Sequence, residues 1–81
     1  MKPRKSNMTV KLPRVSGYGA VKALSKAGWG VIRQKGSHVH MAKEGMPLIL
    51  TIPLHKELKK GLLHSQIKKA GLAVEEFIEL L

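Results

Sequence analysis

Two histidines one residue apart, His38 and His40, follow a Gly-Ser dipeptide and are the side chains best suited to chemistry. Side chains alternate along a strand, so both rings would share one sheet face if this segment is extended. A histidine side chain has an ordinary pKa of about 6.5, so it can accept or donate a proton near neutral pH. A positioned general acid or base accelerates a reaction typically ~10²–10⁴-fold. The pattern predicts proton transfer by His38 and makes His40 a second candidate, the alternative being a solvated strand residue.

Basic side chains surround this segment and dominate the whole chain. Fifteen Lys and Arg against five acidic residues give a net charge of +10. Such an excess implies a polyanionic partner, for which nucleic acid is the first candidate, and the alternative is a generic soluble basic protein. RNA carries its own nucleophile, the 2′-hydroxyl, so cutting it requires a base, an acid and cations on the phosphate. Ser37 either donates to a phosphate oxygen or only shapes the turn. The predicted RNA- or phosphate-binding residues are Arg33, Lys35, Ser37, Lys56, Lys59 and Lys60.

A metal site is the rival interpretation of the histidines. A His-x-His pair on one strand can direct both rings toward one ion, and His55 is a further candidate ligand. The chain has no cysteine, and no carboxylate stands near the pair in sequence. The sequence therefore favours chemistry without a metal or other cofactor.

Helices and strands alternate in a simple order around these residues. Ser16 is a predicted N-cap and Gly28 a predicted helix stop, and Pro53 ends the last predicted strand. Trp29 is expected to fill the core rather than stack on a base. The pattern predicts an α+β fold, α-β-β-β-α with a three-stranded antiparallel sheet packed on two long helices, plus a short C-terminal helix. The predicted elements are a helix over Gly17–Ala27, strands over Trp29–Gln34, His38–Met41 and Leu48–Ile52, a helix ending at Gly71, and a short helix from Val74.

Length and composition limit the class of protein. Eighty-one residues suffice for one domain, which we place at residues 15–81, after a basic N-terminal arm at residues 1–14. No apolar run approaches the ~20 residues of a membrane span, and the N-terminus lacks the apolar middle of a signal peptide. Together with the absence of cysteine, this favours a cytoplasmic protein.

Several stretches together resemble the HicA-type toxins, the mRNA interferases of HicA–HicB toxin–antitoxin systems. The resemblance implies a fold similar to the double-stranded-RNA-binding domain, mRNA endonuclease activity, a HicB-type antitoxin partner and a catalytic role for His38. The family often has Thr-Leu-Arg where this chain has Leu62-Leu63-His64, which removes a hydroxyl N-cap and a fixed positive charge. The matching stretches are Leu12–Gly17, Gly28–Trp29 with Arg33–His38, His55–Gly61, and Ala70–Leu72 with Val74–Phe77.

Two other functions fit the same residues. One is a non-catalytic RNA-binding module that uses the basic surface alone. The other is a protein-interaction domain whose basic face binds an acidic partner, for which the antitoxin is the obvious candidate. The sequence leaves the oligomeric state and the choice of cleavage site open.

Overall fold

The computed structural model describes residues 11–81, so most of the predicted N-terminal arm lies outside the described residues. The sheet is three-stranded and antiparallel throughout, with the strands side by side in chain order. The predicted α+β class and element order are therefore confirmed. The elements are α1 (Gly17–Lys26), β1 (Gly30–Lys35), β2 (His38–Ala42), β3 (Leu50–Pro53), α2 (Lys60–Lys69) and α3 (Val74–Leu80).

The ends of the elements follow local chemistry closely. The Ser16 hydroxyl accepts a hydrogen bond from the Gly19 N–H at 2.9 Å, so Ser16 is the N-cap of α1, as predicted. Gly28 and Gly71, with φ of 99° and 79°, lie just beyond the ends of α1 and α2, in a backbone conformation that other residues rarely adopt.

The strand boundaries differ from the prediction by one or two residues. β1 begins at Gly30 and extends to Lys35, because Trp29 turns into the core and the turn is shorter than expected. β3 begins at Leu50 rather than Leu48 and includes Pro53. Proline fits there because β3 is an edge strand, where a missing N–H interrupts no ladder.

The core lies between the helices and one face of the sheet. Alternation along β2 buries Val39 and Met41, and the neighbouring β3 adds Leu50 and Ile52. The opposite face of β2 carries the two histidines. From the helices and connecting segments, the core takes Leu12, Val15, Ala20, Ala23, Leu24, Leu58, Leu63, Ile67, Ala70 and Phe77.

Two residues of the N-terminal half show how the core is closed. Trp29 is only 2% exposed and its backbone N–H donates to the Leu24 carbonyl, which confirms the predicted packing role. Its indole Nε1 is buried and has no hydrogen-bond partner within residues 11–81. Leu12, predicted to belong to the arm, is 5% exposed and packs into the same core. None of the helices in residues 11–81 is long and apolar enough to cross a membrane.

Candidate nucleic-acid interface

A two-residue turn sets the position of His38. Lys35 and His38 are cross-strand partners, so only Gly36 and Ser37 connect β1 to β2. Gly36 has a φ of 59° and no other residue type in the described chain has a positive φ, a combination that fits a type II′ hairpin turn. A Cβ at Gly36 would meet nothing within 4 Å, so backbone conformation rather than space requires glycine here. His38 is consequently the first residue of β2 and is exposed.

Residues paired across an antiparallel sheet share a face, and the register therefore groups the predicted site residues. The first row across the face is Lys35, His38 and Pro53, and the second is Arg33, His40 and Thr51. In each row a cation of β1 stands opposite a histidine of β2. Directly opposed residues have Cβ atoms roughly 4.5–5.5 Å apart, within reach of one bound phosphodiester.

The register is regular near the turn and irregular beyond it. The pairing shifts between Val31 and Arg33, where Ile32 is the extra residue of a β-bulge. Val31 and Ile32 are 51% and 57% exposed on this edge strand, all of whose residues are exposed. A bulge and the charged Arg33 and Lys35 discourage pairing of this edge with another chain. The bulge is not among the features predicted from the sequence.

His40 is half-buried and has a polar neighbour that the sequence did not predict. Its Nδ1 lies 3.2 Å from the Oγ1 of Thr51, its cross-strand partner in β3. The backbone N–H of Thr51 donates to the side-chain oxygen of Gln66 in α2 at 3.2 Å. Gln66 is buried, at 8% exposure, on the stripe of α2 that faces the core. A polar residue inside an apolar helical stripe was the available signal for this contact.

The loop between β3 and α2 is tied by one backbone hydrogen bond to the turn and by another to the start of α1. The Leu54 N–H donates to the Ser37 carbonyl at 2.7 Å, and the Gly17 N–H donates to the His55 carbonyl at 2.9 Å. Lys56 follows Leu54 by two residues, so their Cα atoms are at most about 7 Å apart. Lys56 therefore lies two residues beyond the residue that is hydrogen-bonded to the turn preceding His38.

The close approach of α1 to this loop depends on a glycine. A Cβ on Gly17 would overlap the carbonyl oxygen of Pro53, a backbone atom that cannot move aside alone. Any larger residue would push α1 away from the loop that carries His55 and Lys56. Gly17 therefore supports the site without belonging to it.

The remaining predicted lysines lie at the start of α2. Lys59 is its N-cap residue and makes no side-chain capping hydrogen bond, and Lys60 is its first helical residue rather than part of the preceding loop. Both side chains are exposed. Uncapped N–H groups at a helix start attract anions, and no acidic residue stands in this first turn. Glu57, the acid of the preceding loop, lies 3.9 Å from Arg14, which partly offsets its charge.

His55 does not join the other histidines in a cluster. Within residues 11–81 no group of three or more His, Cys, Asp or Glu side chains could hold a metal ion. A cavity of about 460 Å³ lies between α1, the segment before it and the end of α3, and none of the predicted site residues lines it. The candidate site is thus an open, basic sheet face, a shape that suits a polymer better than a small molecule.

Comparison with known proteins places this arrangement in a family. The family model for the HicA toxin of bacterial toxin–antitoxin systems matches residues 20–72, which is more than half of the chain. The matched span contains the hairpin, the two histidines and the start of α2. The curated proteins contain no match to the chain. On the family match and the fold together, the chain belongs to the HicA toxin family.

Proposed function

We propose that this HicA family member is a cytoplasmic, metal-independent mRNA endoribonuclease, and that His38 is its catalytic histidine. One observation carries the proposal: the His38 ring is exposed and lies directly across the sheet from Lys35, on the face that also holds Arg33 and His40. Proton-transfer groups and phosphate-binding cations thus occupy adjacent positions. The family membership supports a toxin acting within a toxin–antitoxin pair.

The chemistry follows from the substrate as much as from the protein. The 2′-oxygen of a ribose attacks the adjoining phosphorus, and the bond from phosphorus to the 5′-oxygen breaks. A base takes the 2′-hydroxyl proton, and an acid returns a proton to the departing 5′-oxygen. His38 performs one of these transfers. Arg33 and Lys35 stabilise the negative charge that develops on the phosphorane oxygens, and Ser37 is a hydroxyl donor to the same oxygens.

This mechanism predicts cleavage without a divalent metal. Purified protein should degrade an unstructured RNA in the presence of EDTA and leave 2′,3′-cyclic phosphate and 5′-hydroxyl ends. The same strand carrying 2′-O-methyl groups should remain intact, since its nucleophile is blocked. Gel analysis of end-labelled strands, with mass spectrometry of the products, measures both results. Intact RNA under all conditions would favour the rival function, an RNA-binding module without catalysis.

Binding of the RNA backbone is assigned to the exposed lysines of the loop and of α2. Lys56 is two residues beyond Leu54, which is hydrogen-bonded to the turn, and Lys59 and Lys60 are at an uncapped helix start, so the three can follow a phosphate backbone. Recognition of this kind reads backbone charge and shape rather than sequence. A HicB-type antitoxin would inhibit most simply by covering His38 and these lysines.

Replacing Lys56, Lys59 and Lys60 together by alanine should weaken RNA binding and reduce its dependence on salt. Each lost contact to a single strand lowers the slope of log affinity against log salt by about 0.7, so the slope should fall by roughly 2. Fluorescence anisotropy between low and moderate salt measures the slope. The matched control replaces Lys43, Lys68 and Lys69, which removes the same charge from the far end of β2 and the last turn of α2. Equal slopes for the two triple variants would refute the assigned binding surface.

A further inference from the structure

We propose that the Thr51 hydroxyl is a positioning group that holds His40 in one tautomer, so that Nε2 of His40 serves as the second proton-transfer group. The inference rests on the proposed function and identifies the second proton-transfer group, which acts beside His38. It concerns the second row of the sheet face, in which Arg33, His40 and Thr51 lie side by side.

The backbone geometry explains why these two side chains meet. The Thr51 N–H donates to Gln66 of α2, so it points away from β2. His40 and Thr51 therefore form a non-hydrogen-bonded pair, in which the Cα atoms are only about 4.5 Å apart and the side chains are closest. The 3.2 Å distance from His40 Nδ1 to Thr51 Oγ1 is the expected result.

Gln66 of α2 holds β3 by a hydrogen bond to the edge of the strand that faces away from β2. Its side chain is almost fully buried, and its oxygen occupies the place that a fourth strand would otherwise fill beside β3. A buried amide kept in one position by this hydrogen bond limits the movement of Thr51 relative to α2. The hydroxyl that contacts His40 is thus held by the fold rather than by a mobile loop.

The proton count identifies the useful tautomer. The Thr51 hydroxyl can accept from Nδ1–H or donate to a bare Nδ1, and only the first arrangement persists when the ring is protonated on both nitrogens. If Nδ1 keeps its proton, the proton that moves is always on Nε2. The imidazolium then gives its Nε2 proton to the 5′-oxygen, or the neutral ring takes the 2′-hydroxyl proton on Nε2. The bond to Thr51 is the same before and after either transfer.

The tautomer can be measured without any substrate. In long-range ¹H–¹⁵N spectra of the ¹⁵N-labelled protein, neutral His40 should carry its proton on Nδ1. Thr51→Val keeps the shape and the backbone bond to Gln66 but removes the hydroxyl, so the proton should move largely to Nε2. Thr51→Ser should restore the wild-type pattern. An Nε2–H tautomer in the wild type, or an identical pattern in the valine variant, would overturn the inference.

Activity provides the second arm of the test. Thr51→Val should lower the single-turnover cleavage rate on the order of 10²-fold, about as much as His40→Ala, with RNA affinity unchanged. Thr51→Ser should recover most of the rate, and the valine substitution should add nothing in the His40→Ala background. Full activity of the valine variant, beside an inactive His38→Ala protein, would refute the role of Thr51 and leave the proposed function standing. No cleavage by the wild type would refute the proposed function, and with it the catalytic half of this inference, whatever the spectra show.

Discussion

Replacing His38 by alanine is expected to lower the single-turnover rate of RNA cleavage by about 10²–10⁴-fold while RNA binding remains nearly unchanged. His38 is exposed, so removal of its ring should leave the fold intact. Arg33, Lys35 and the lysines after β3 still present their charges to the phosphates. The loss should therefore be in the chemical step, an increase of about 3–5 kcal/mol in its activation free energy.

The measurement requires rate and affinity to be determined separately. Single-turnover cleavage with protein in excess gives the first, and anisotropy with a 2′-O-methyl strand gives the second. His64→Ala is the matched control, because His64 is also exposed but lies on α2 rather than on the sheet face. Cleavage by His38→Ala at the wild-type rate would remove His38 from the mechanism. A parallel loss of binding and rate would instead make it a binding residue.

Much of the fold could be predicted because the signals are local. The Ser16 cap, the glycines that end helices and the alternation of His38 to Met41 each depend on a few neighbouring residues. The shared face of His38 and His40 follows from the two-residue period of a strand. Their pairing with Arg33 and Lys35 depends on a two-residue turn, whereas the predicted boundaries placed Lys35 in the turn and so did not give this register.

Local sequence patterns do not predict which residues of distant elements come into contact. Nothing local indicates that Gly17 must touch the backbone of Pro53. The place of Gln66 in an apolar stripe signals that it has a polar partner, but nothing local identifies Thr51 as that partner. These contacts depend on how the helices are placed on the sheet. The hydrogen bond between Leu54 and Ser37, which ties the loop before Lys56 to the turn, is of the same kind. Local patterns therefore predict the candidate site residues, but not all of the residues that position them.

Trp29→Ala should strongly destabilise the domain, more than any substitution on the exposed sheet face. The ring is 2% exposed at the junction of α1 and β1, so its removal leaves a large cavity in a small core. Loss of a buried tryptophan typically costs about 3–5 kcal/mol, a large part of the total stability expected for a domain of this size. Urea unfolding followed by far-ultraviolet circular dichroism measures the change. RNA cleavage should fall in proportion to the folded fraction, because β1 carries Arg33 and Lys35.

Trp29→Phe separates packing from hydrogen bonding at the same position. Phenylalanine keeps most of the ring contacts and removes the indole N–H, which has no partner within residues 11–81. A buried donor without a partner costs about 1–3 kcal/mol, so its removal should offset much of the lost volume. The phenylalanine variant should therefore be far more stable than the alanine variant. If both were destabilised equally, the indole N–H would have to make a stabilising bond, and if neither were, the ring would have to lie outside the core.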